Sequence, residues 1–211
     1  MKKIVEGNNE KSARIFHPFG PLYNEDSRVL ILGSFPSVKS REQEFFYGHP
    51  QNRFWKVMGA LFGEPDPDSI RSLNGTSVNS NRETLLKMHE GGDRANGQQA
   101  AYIPRTIEEK KALILANGLA LWDSIGSCEI TGSSDASIRN AEPNDLRIIT
   151  GSCDIRAIYC NGKKSLEVYN RYIEPVLGRP AKALPSTSPA NAAWSLERLI
   201  EAWAVVKDNL L

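Results

Sequence analysis

The sequence predicts an α/β fold, in which a parallel sheet is covered on both faces by helices. Two observations lead to this prediction. Short apolar runs alternate along the chain with segments whose apolar residues follow a helical period. The chain has 211 residues, of which 40% are hydrophobic and 24% charged, so a single domain spanning residues 1–211 can bury an ordinary core.

The strands are predicted from short apolar runs. Arg28–Gly33 is apolar throughout after its first residue, which is typical of a strand buried on both faces. Leu119–Trp122 and Arg156–Cys160 have the same character, and Ala181–Leu184 is a weaker fourth candidate. Residues 1–27, which show no period, are expected to form an arm that drapes over the body.

Helices are predicted between these strands. Asn52 begins the first, and Thr106 caps a second that runs to about Asn117, with Glu109 completing a capping box. Further helices are expected over Pro143–Ser152, Gly162–Tyr172 and Ala192–Asp208. Residues 67–104 are rich in Gly, Asn, Ser and Asp, and we expect a flexible insertion there with a short helix around Glu83–His89.

Polar loops follow each predicted strand. In a parallel sheet the carboxyl ends of the strands meet at one edge, and ligands bind outside that edge. Four segments should therefore converge there: Ser34–Asn52, Asp123–Asn140, Asn161–Lys164 and Pro185–Asn191. They are rich in Ser, Asn, Pro, His and aromatic residues, a set suited to hydrogen bonding and stacking. Neither a GxSxG elbow nor a P-loop occurs in the sequence, which argues against a standard α/β-hydrolase or P-loop ATPase.

Charge and cysteine content narrow the class of protein further. Lys and Arg total 26 against 25 Asp and Glu, so a generally basic, histone-like protein is excluded and any nucleic-acid binding must use a local patch. Its candidates are Lys39, Arg41, Arg53, Lys163 and Lys164. The three cysteines are widely spaced, so we expect reduced thiols, no metal site and no cofactor. No apolar run follows the first lysines and none approaches about eighteen residues, so we expect no signal peptide and no membrane span.

Several motifs resemble one enzyme family. The sequence LILGSFPSVKSREQEFFYGHPQNRFWKVM is similar to the first motif region of the uracil-DNA glycosylase superfamily, and its HPxNxFW element also resembles mismatch-specific uracil glycosylases. The segments GLALWDSIGSCE, SIRNAEPNDL, AIYCNGKKS and LPSTSPANA resemble one branch, the hypoxanthine-DNA (deoxyinosine) glycosylases. The resemblance covers residues 28–63 and 105–206. Residues 67–104 depart from it, because relatives pass quickly from the first helix to the next.

The resemblance implies a three-layer α/β/α sandwich with a central four-stranded parallel sheet. It also implies a metal-free DNA glycosylase of base-excision repair, which flips a deaminated base out of DNA and hydrolyses its N-glycosidic bond. The expected base is hypoxanthine. Two alternatives stay open: a uracil or mismatch-uracil glycosylase of the same fold, and a non-catalytic nucleic-acid-binding module.

Two residues are predicted to be catalytic on this basis. The resemblance assigns Asn52 to hold the water that attacks the sugar, although Asn is also a favoured helix N-cap. His49, three residues earlier, would bond a phosphate or the base; alternatively it braces the loop beside Pro50.

Five residues are predicted to bind the base. Phe46 and Tyr47, with Phe45 beside them, form an aromatic run on which a flipped base would stack. Asp123 would accept the N1–H of hypoxanthine, whereas adenine has a lone pair at N1; alternatively Asp123 caps the following turn. Asn140 or Asn161 would donate to O6 or N7, and Asn161 is also typical of a turn before Gly162.

The DNA backbone is expected to meet short hydroxyl and basic side chains. The loop Pro185–Asn191 resembles the second motif of the superfamily, which grips the phosphates beside the lesion; alternatively it only caps the last helix. The predicted DNA-binding residues are Ser34, Ser37, Arg53, Lys163, Ser186, Thr187, Ser188 and Asn191. We expect a monomer that acts in the cytoplasm, at the nucleoid in a prokaryote. Its partner is expected to be double-stranded DNA with a deaminated base, single-stranded DNA being the alternative.

Overall fold

The computed structural model describes residues 14–63 and 102–210 of the chain. The strands are β1 (Arg14–Phe16), β2 (Val29–Gly33), β3 (Leu119–Asp123), β4 (Ile125–Glu129), β5 (Arg139–Pro143), β6 (Ala157–Asn161) and β7 (Lys182–Leu184). The α-helices are α1 (Val38–Gln43), α2 (Phe54–Phe62), α3 (Ile107–Ala116), α4 (Arg147–Thr150), α5 (Lys163–Val168), α6 (Glu174–Leu177) and α7 (Leu196–Trp203).

The predicted four-stranded parallel sheet is confirmed. Its strand order is β3-β2-β6-β7, and all three neighbouring pairs are parallel. Every residue of β2 and of β3 is buried, as their continuous apolar runs predict. Because β2 and β3 are in register from Val29–Leu119 to Gly33–Asp123, the last two residues end side by side. The parallel sheet therefore has one carboxyl edge at which its loops meet.

Helices complete a three-layer α/β/α sandwich. Helix α2 packs against α3 and α7, and the ring centroids of Phe54 and Trp203 are 5.8 Å apart. Helix α3 has the predicted capping box between Thr106 and Glu109. Helix α5 packs on β6 and β7, and a π-helical turn, Tyr169–Ile173, links it to α6. The helix predicted to end at Tyr172 thus continues to Leu177, with the π-helical turn between its two α-helical parts.

A second sheet was not predicted from the sequence. The segment from Ser124 to Asn140, expected to be a loop, contains β4 and the start of β5, which pair with β1 in an antiparallel sheet of order β1-β4-β5. This sheet covers a small core formed by Phe35, Ile125, Cys128, Ile130, Ile138 and Val168. Its strands are short and irregular in register. Gly126 and Ser127 interrupt the apolar residues of β4, so the alternation of apolar and polar residues that indicates a strand is weak.

Three helix boundaries also differ from prediction. The expected helix Pro143–Ser152 shrinks to the single turn α4, because Pro143 still belongs to β5. The last helix begins at Leu196, where the Ser195 side chain caps it by accepting from the Arg198 amide, and it ends in a 3-10 turn over Ala204–Asn209. Helix α2 begins at Phe54, two residues after the predicted start.

The N-terminal arm is built into both sheets. Its strand β1 pairs with β4, and Leu22 forms an isolated antiparallel bridge with Leu121 at the outer side of β3. Residues 1–13 and most of the predicted insertion, including Glu83–His89, lie outside the described residues. Within residues 14–63 and 102–210, no helix is long and apolar enough to span a membrane. The three cysteines are free thiols.

Candidate active site

The loops at the carboxyl edge of the parallel sheet come together as predicted. The Ser124 amide donates to the carbonyl of Gly33 at 2.8 Å, which joins the ends of β2 and β3. The Gly162 amide donates to the carbonyl of Leu184 at 2.9 Å, which joins the ends of β6 and β7. The Arg53 amide donates to the carbonyl of Thr187 at 3.1 Å, so the loop before α2 reaches the same edge.

Three side chains from three of these loops form one hydrogen-bonded group, here called the amide cluster: Asn52, Asn161 and Thr187. The Thr187 hydroxyl donates to Asn52 Oδ1 at 2.9 Å, and Asn161 Nδ2 donates to the same hydroxyl at 2.9 Å. The Thr187 amide donates to Asn161 Oδ1, also at 2.9 Å. The cluster therefore links the loops before α2, after β6 and after β7.

The hydrogen-bond directions in the amide cluster fix how Asn52 points. The backbone amide of Phe54 can only donate, and it lies 2.9 Å from Asn52 Oδ1. The single hydroxyl proton of Thr187 is directed at the same oxygen, because Asn161 Nδ2 already donates to the hydroxyl. Asn52 Nδ2 makes no hydrogen bond to the described residues. The half-buried Asn52 therefore offers a donor with a fixed orientation at this edge.

Two residues predicted to contact DNA instead organise the loop after β7. Thr187 is 0% exposed, so its hydroxyl is unavailable to a phosphate and serves the amide cluster. The Arg53 side chain donates to the carbonyls of Ser188 at 2.7 Å and Asn191 at 3.1 Å, and also to that of Trp194. Because the guanidinium N–H groups of Arg53 donate to backbone carbonyls, Arg53 anchors this loop to the start of α2.

Asp123, at the end of β3, pairs with a histidine that the sequence analysis did not single out. Its Oδ2 lies 2.7 Å from Nε2 of His17, and both side chains are buried, with 7% and 4% exposed. We call these two residues the carboxylate pair. The only local signal for His17 was a lone histidine among aromatic residues of the arm, which does not distinguish a core residue from a functional one.

Gly33 allows Asp123 to occupy its position. A Cβ added at Gly33 would lie 2.1 Å from Asp123 Oδ1 and 3.4 Å from the Tyr47 hydroxyl. Both oxygens therefore face the same small volume at the end of β2. Among the described residues Oδ1 has no hydrogen-bond donor, whereas Oδ2 is held by His17.

Tyr47 lies between the amide cluster and the carboxylate pair. Its ring stacks on Phe54 with centroids 3.8 Å apart, and its backbone is left-handed, with a φ of 52°. The buried hydroxyl approaches Asn161 but makes no hydrogen bond of ordinary geometry within the described structure. Burial, with a smaller contribution from the charge of Asp123, raises the pKa of Tyr47 far above its usual value, so its hydroxyl remains a potential donor.

Other residues predicted near the base have structural contacts. Phe46 is 3% exposed and meets Phe19 edge-on at 4.9 Å, so its ring belongs to the core in this structure and is not open for stacking. Its neighbour Phe45 is also buried. His49 is half-buried, and its Nδ1 accepts from the Gln51 amide at 3.2 Å, a contact that braces the turn before Asn52.

The remaining predicted residues are either exposed or half-buried. Asn140 is exposed on β5, has a φ of 49° and donates to Glu129 at 2.9 Å, so the structure does not bring it to the amide cluster. Ser34 donates to Asp135 at 2.7 Å, and Ser37 caps α1. Lys163 is exposed at the start of α5, next to Asn161. Ser186, Ser188 and Asn191 are half-buried in the loop that Arg53 anchors.

The buried side chains described at this edge offer neutral donors and the carboxylate of Asp123, and the exposed Asp135 is bonded to Ser34 nearby. Across the part of the chain that the structure describes, no three His, Cys, Asp or Glu residues are grouped so as to hold a metal ion. The amide of Asn52 can orient a small polar molecule. Oδ1 of Asp123 and the Tyr47 hydroxyl, an acceptor beside a donor, can read a planar polar edge.

Comparisons with known proteins span nearly the whole chain. It is 30% identical over 190 residues to a protein named hypoxanthine DNA glycosylase from Methanosarcina barkeri (strain Fusaro / DSM 804), a match covering 88% of this chain and 94% of that relative. A protein of the same name from Methanosarcina acetivorans is 30% identical over 193 residues, covering 90% and 96%.

The structural comparison agrees. The chain is similar to the solution NMR structure of a protein from Methanosarcina acetivorans that is described as a uracil DNA glycosylase, with a TM-score of 0.59 and 27% identity. That match covers 90% of this chain and 95% of the other. No family model matches the chain. Both similarities therefore extend over the core and the carboxyl edge alike.

Proposed function

Since the chain belongs to the hypoxanthine DNA glycosylase family, it is a DNA glycosylase, and we propose that it releases hypoxanthine from deoxyinosine in DNA. The observation that carries this proposal is the fixed amide of Asn52, held by Thr187 and the Phe54 amide so that Nδ2 remains free to donate. A second observation supports the choice of base: the buried Asp123 keeps Oδ1 free beside Gly33.

In the proposed reaction, Asn52 orients the attacking water. Its Nδ2 donates to the water oxygen, which forms a bond to C1′ as the bond between C1′ and N9 of hypoxanthine breaks. The electron pair of that bond leaves with the base, one water proton ends on a base nitrogen, and the abasic sugar keeps the hydroxyl. An amide does not accept a proton near neutral pH, so Asn52 positions the water and is not a general base. Fixed dipoles and DNA phosphates would stabilise the positive sugar in the transition state.

Asp123 is proposed to read the base. Its free oxygen, Oδ1, accepts hydrogen bonds and donates none while the carboxylate is ionised, and hypoxanthine offers an N–H at N1. Adenine presents a lone pair at N1, which faces a carboxylate unfavourably. A buried polar group that the wrong base leaves unpaired gives strong discrimination. The arrangement thus favours the deaminated base over its parent.

The loop after β7 is proposed to contact the DNA backbone around the flipped base. Its tip residues, Pro189 and Ala190, are exposed, and Ser186 and Ser188 precede them in the chain. Because Arg53 bonds two backbone carbonyls of the loop, the loop would be ordered before it contacts DNA. Flipping costs a few kcal/mol of unstacking, and a preformed loop offsets part of that cost. We propose double-stranded DNA as the substrate, a monomer as the active form and the cytoplasm, at the nucleoid in a prokaryote, as the location.

Uracil is the second candidate base. The structural relative is described as a uracil DNA glycosylase, and uracil also carries an N–H beside a carbonyl. The same carboxylate oxygen would accept from that N–H. The two bases must therefore be compared on one enzyme preparation.

The test is a gel assay with labelled duplexes that carry one deoxyinosine, deoxyuridine or deoxyadenosine, in EDTA, with alkali added after incubation. We expect cleavage at deoxyinosine and none at deoxyadenosine. Cleavage only at deoxyuridine would transfer the proposal to uracil, and no cleavage at any duplex would refute it.

A variant pair ties the activity to the amide. Asn52→Ala should lower the single-turnover rate about 100- to 1000-fold, the scale for losing a preorganised donor. Asn117→Ala is the matched control. The half-buried Asn117 also bonds the backbone through its side chain, which donates to the Leu113 carbonyl at 2.8 Å, but it lies at the opposite edge of the sheet. Its rate should equal that of the wild type.

A further inference from the structure

The buried imidazole of His17 has no role in the reaction proposed above. Its side chain is 4% exposed, and its ring meets Phe19 edge-on at 4.5 Å and Phe35 at 6.1 Å. The backbone of His17 is fixed by β4, since β1 ends one residue earlier in register with β4 and the His17 amide donates to the Gly126 carbonyl at 2.8 Å. The position of the ring is therefore set by the second sheet.

The contact with Asp123 has a fixed proton direction. An ionised carboxylate can only accept, so His17 Nε2 must carry the proton that it shares with Oδ2 across 2.7 Å. This bond holds one carboxylate oxygen and stops the group from turning. It leaves Oδ1 pointing to the volume beside Gly33, where a Cβ would lie 2.1 Å from it.

The other ring nitrogen indicates that the role is more than structural. Nδ1 of His17 is buried and has no hydrogen-bond partner within the described structure, as is also true of the Tyr47 hydroxyl. Buried polar atoms in folded proteins are usually paired, and each exception calls for an explanation. Within the described residues the exceptions are His17 Nδ1, the Tyr47 hydroxyl and Trp122 Nε1, and the first two belong to side chains that face Asp123.

We propose that His17 is the positioning residue of Asp123, which by holding Oδ2 presents Oδ1 to the ring N–H of a flipped base that carries an N–H beside a carbonyl. The ligand class is thus a base with a lactam edge, such as hypoxanthine. This inference rests on the proposed function, because it assigns the base-reading group of the same site. It adds a residue from the N-terminal arm to that site.

Two substitutions at His17 separate the hydrogen bond from the packing. His17→Leu fills the aromatic surroundings but removes the donor, and His17→Gln places an amide N–H near the position of Nε2. We expect His17→Leu to lower single-turnover release of hypoxanthine on the order of 10- to 100-fold, the scale of a small misplacement in an active site. His17→Gln should keep most of the wild-type rate. Full activity of His17→Leu, or an equal loss in both variants, would overturn the proposal.

A double-variant cycle shows whether His17 acts through Asp123. In an Asp123→Ala background, His17→Leu should cause no further loss, because its target is gone. Losses that multiply would contradict a positioning role. Affinity for abasic-site DNA, measured on every variant, should stay near that of the wild type, since it does not depend on reading the base. The melting temperature should fall in His17→Leu, because the buried Asp123 carboxylate loses its donor, and its measurement shows that each variant is folded at the assay temperature.

A spectroscopic readout keeps the inference testable apart from turnover. In the wild type, nitrogen-15 NMR should show His17 protonated at Nε2, with a downfield proton that shifts in Asp123→Asn. An unchanged signal would disprove the link between the two residues. If the wild type released no hypoxanthine, the proposed function would fail, while this signal would still decide whether His17 holds Asp123.

Discussion

The amide cluster and the carboxylate pair lie on either side of Tyr47, and they differ in how fully their hydrogen bonds are satisfied. In the amide cluster, Asn161 pairs both ends of its amide with Thr187, and Asn52 Oδ1 accepts twice. In and beside the carboxylate pair, His17 Nδ1 and the Tyr47 hydroxyl are buried without a partner in the described structure.

This difference separates two tasks within one site. In the amide cluster every polar side-chain group except Asn52 Nδ2 is paired, which holds that one donor rigidly before the substrate arrives and suits the orientation of water. Unpaired buried atoms cost stability in the free protein and are retained where a ligand pairs them. The comparison therefore assigns preorganisation to the amide cluster and recognition to the groups around Asp123.

Among the variants that test this comparison, Thr187→Val should produce the largest effect, because it disrupts the hydrogen bonds within the amide cluster. Valine keeps the shape but removes the hydroxyl, so Asn161 Nδ2 loses its acceptor and Asn52 Oδ1 keeps only the Phe54 amide as a donor. Asn52 is then held less firmly. We expect the single-turnover rate to fall about 100-fold and the free energy of unfolding to drop by about 1–3 kcal/mol. Urea unfolding and a quenched gel assay measure the two quantities. Thr187→Ser, which keeps the hydroxyl, is the control, and an equally large loss in it would show that the methyl group matters instead.

Asp123→Asn tests the recognition side. The Nε2–H of His17 should capture the amide oxygen, which turns an NH₂ group towards the base and places two donors face to face. A hydrogen bond to a charged group contributes about 1.5–3 kcal/mol, so deoxyinosine excision should fall about 10- to 100-fold. Deoxyuridine excision should fall as well, because the N–H of uracil would face the same donor. No loss on either substrate, or an equal loss of affinity for abasic-site DNA, would remove Asp123 from base reading.

The same contrast explains how much of the fold was predictable. The parallel sheet was predicted because β2 and β3 are continuous apolar runs, and burial on both faces leaves that signature directly in the sequence. The antiparallel sheet was missed because the residues of β5 are mostly exposed and β4 alternates irregularly. Its stability comes from pairing with β1, more than a hundred residues away, as in the register of Ile15 with Cys128.

The site was predictable to the extent that its residues follow strands. Asp123 and Asn161 were identified from their place at the carboxyl edge, and the resemblance to the glycosylase family added Asn52, which lies in a loop of the same edge. The roles of Thr187 and His17 depend on contacts across 135 and 106 residues of chain, to Asn52 and Asp123 respectively. Such pairings are set by the packing of loops and leave no local period, so only the structure reveals them.

Tyr47→Phe should separate stability from activity. The Tyr47 hydroxyl is buried without a partner, so its removal should leave the free energy of unfolding unchanged or raise it by up to about 1 kcal/mol. If the hydroxyl donates to the base, deoxyinosine excision should nevertheless fall about 10-fold, the scale of one neutral hydrogen bond. Tyr169→Phe is the control: Tyr169 is also a core-packed tyrosine, but its hydroxyl donates to the Arg179 carbonyl at 2.7 Å. That variant should lose stability and keep activity, and the reverse result would invalidate the comparison.

The smallest effect is expected in the alkaline stability of the protein. Burial raises the pKa of Cys160 from 9.0 to about 11 and that of Tyr169 from 10.0 to about 12, and it raises the pKa of Tyr47 as well. Each group therefore loses its proton earlier in the unfolded chain than in the folded one. Since the unfolded state then binds fewer protons, the free energy of unfolding should be independent of these groups below about pH 8 and fall as the pH rises through 9 to 12. Urea unfolding at pH 8, 9.5 and 10.5 measures the slope, which Tyr47→Phe and Tyr169→Phe should each make shallower. At pH 8 only Tyr169→Phe should be less stable than the wild type, because only the Tyr169 hydroxyl has a hydrogen-bond partner to lose. If the free energy of unfolding of Tyr47→Phe fell with pH as steeply as that of the wild type, the Tyr47 hydroxyl would be solvated and not reserved for a ligand.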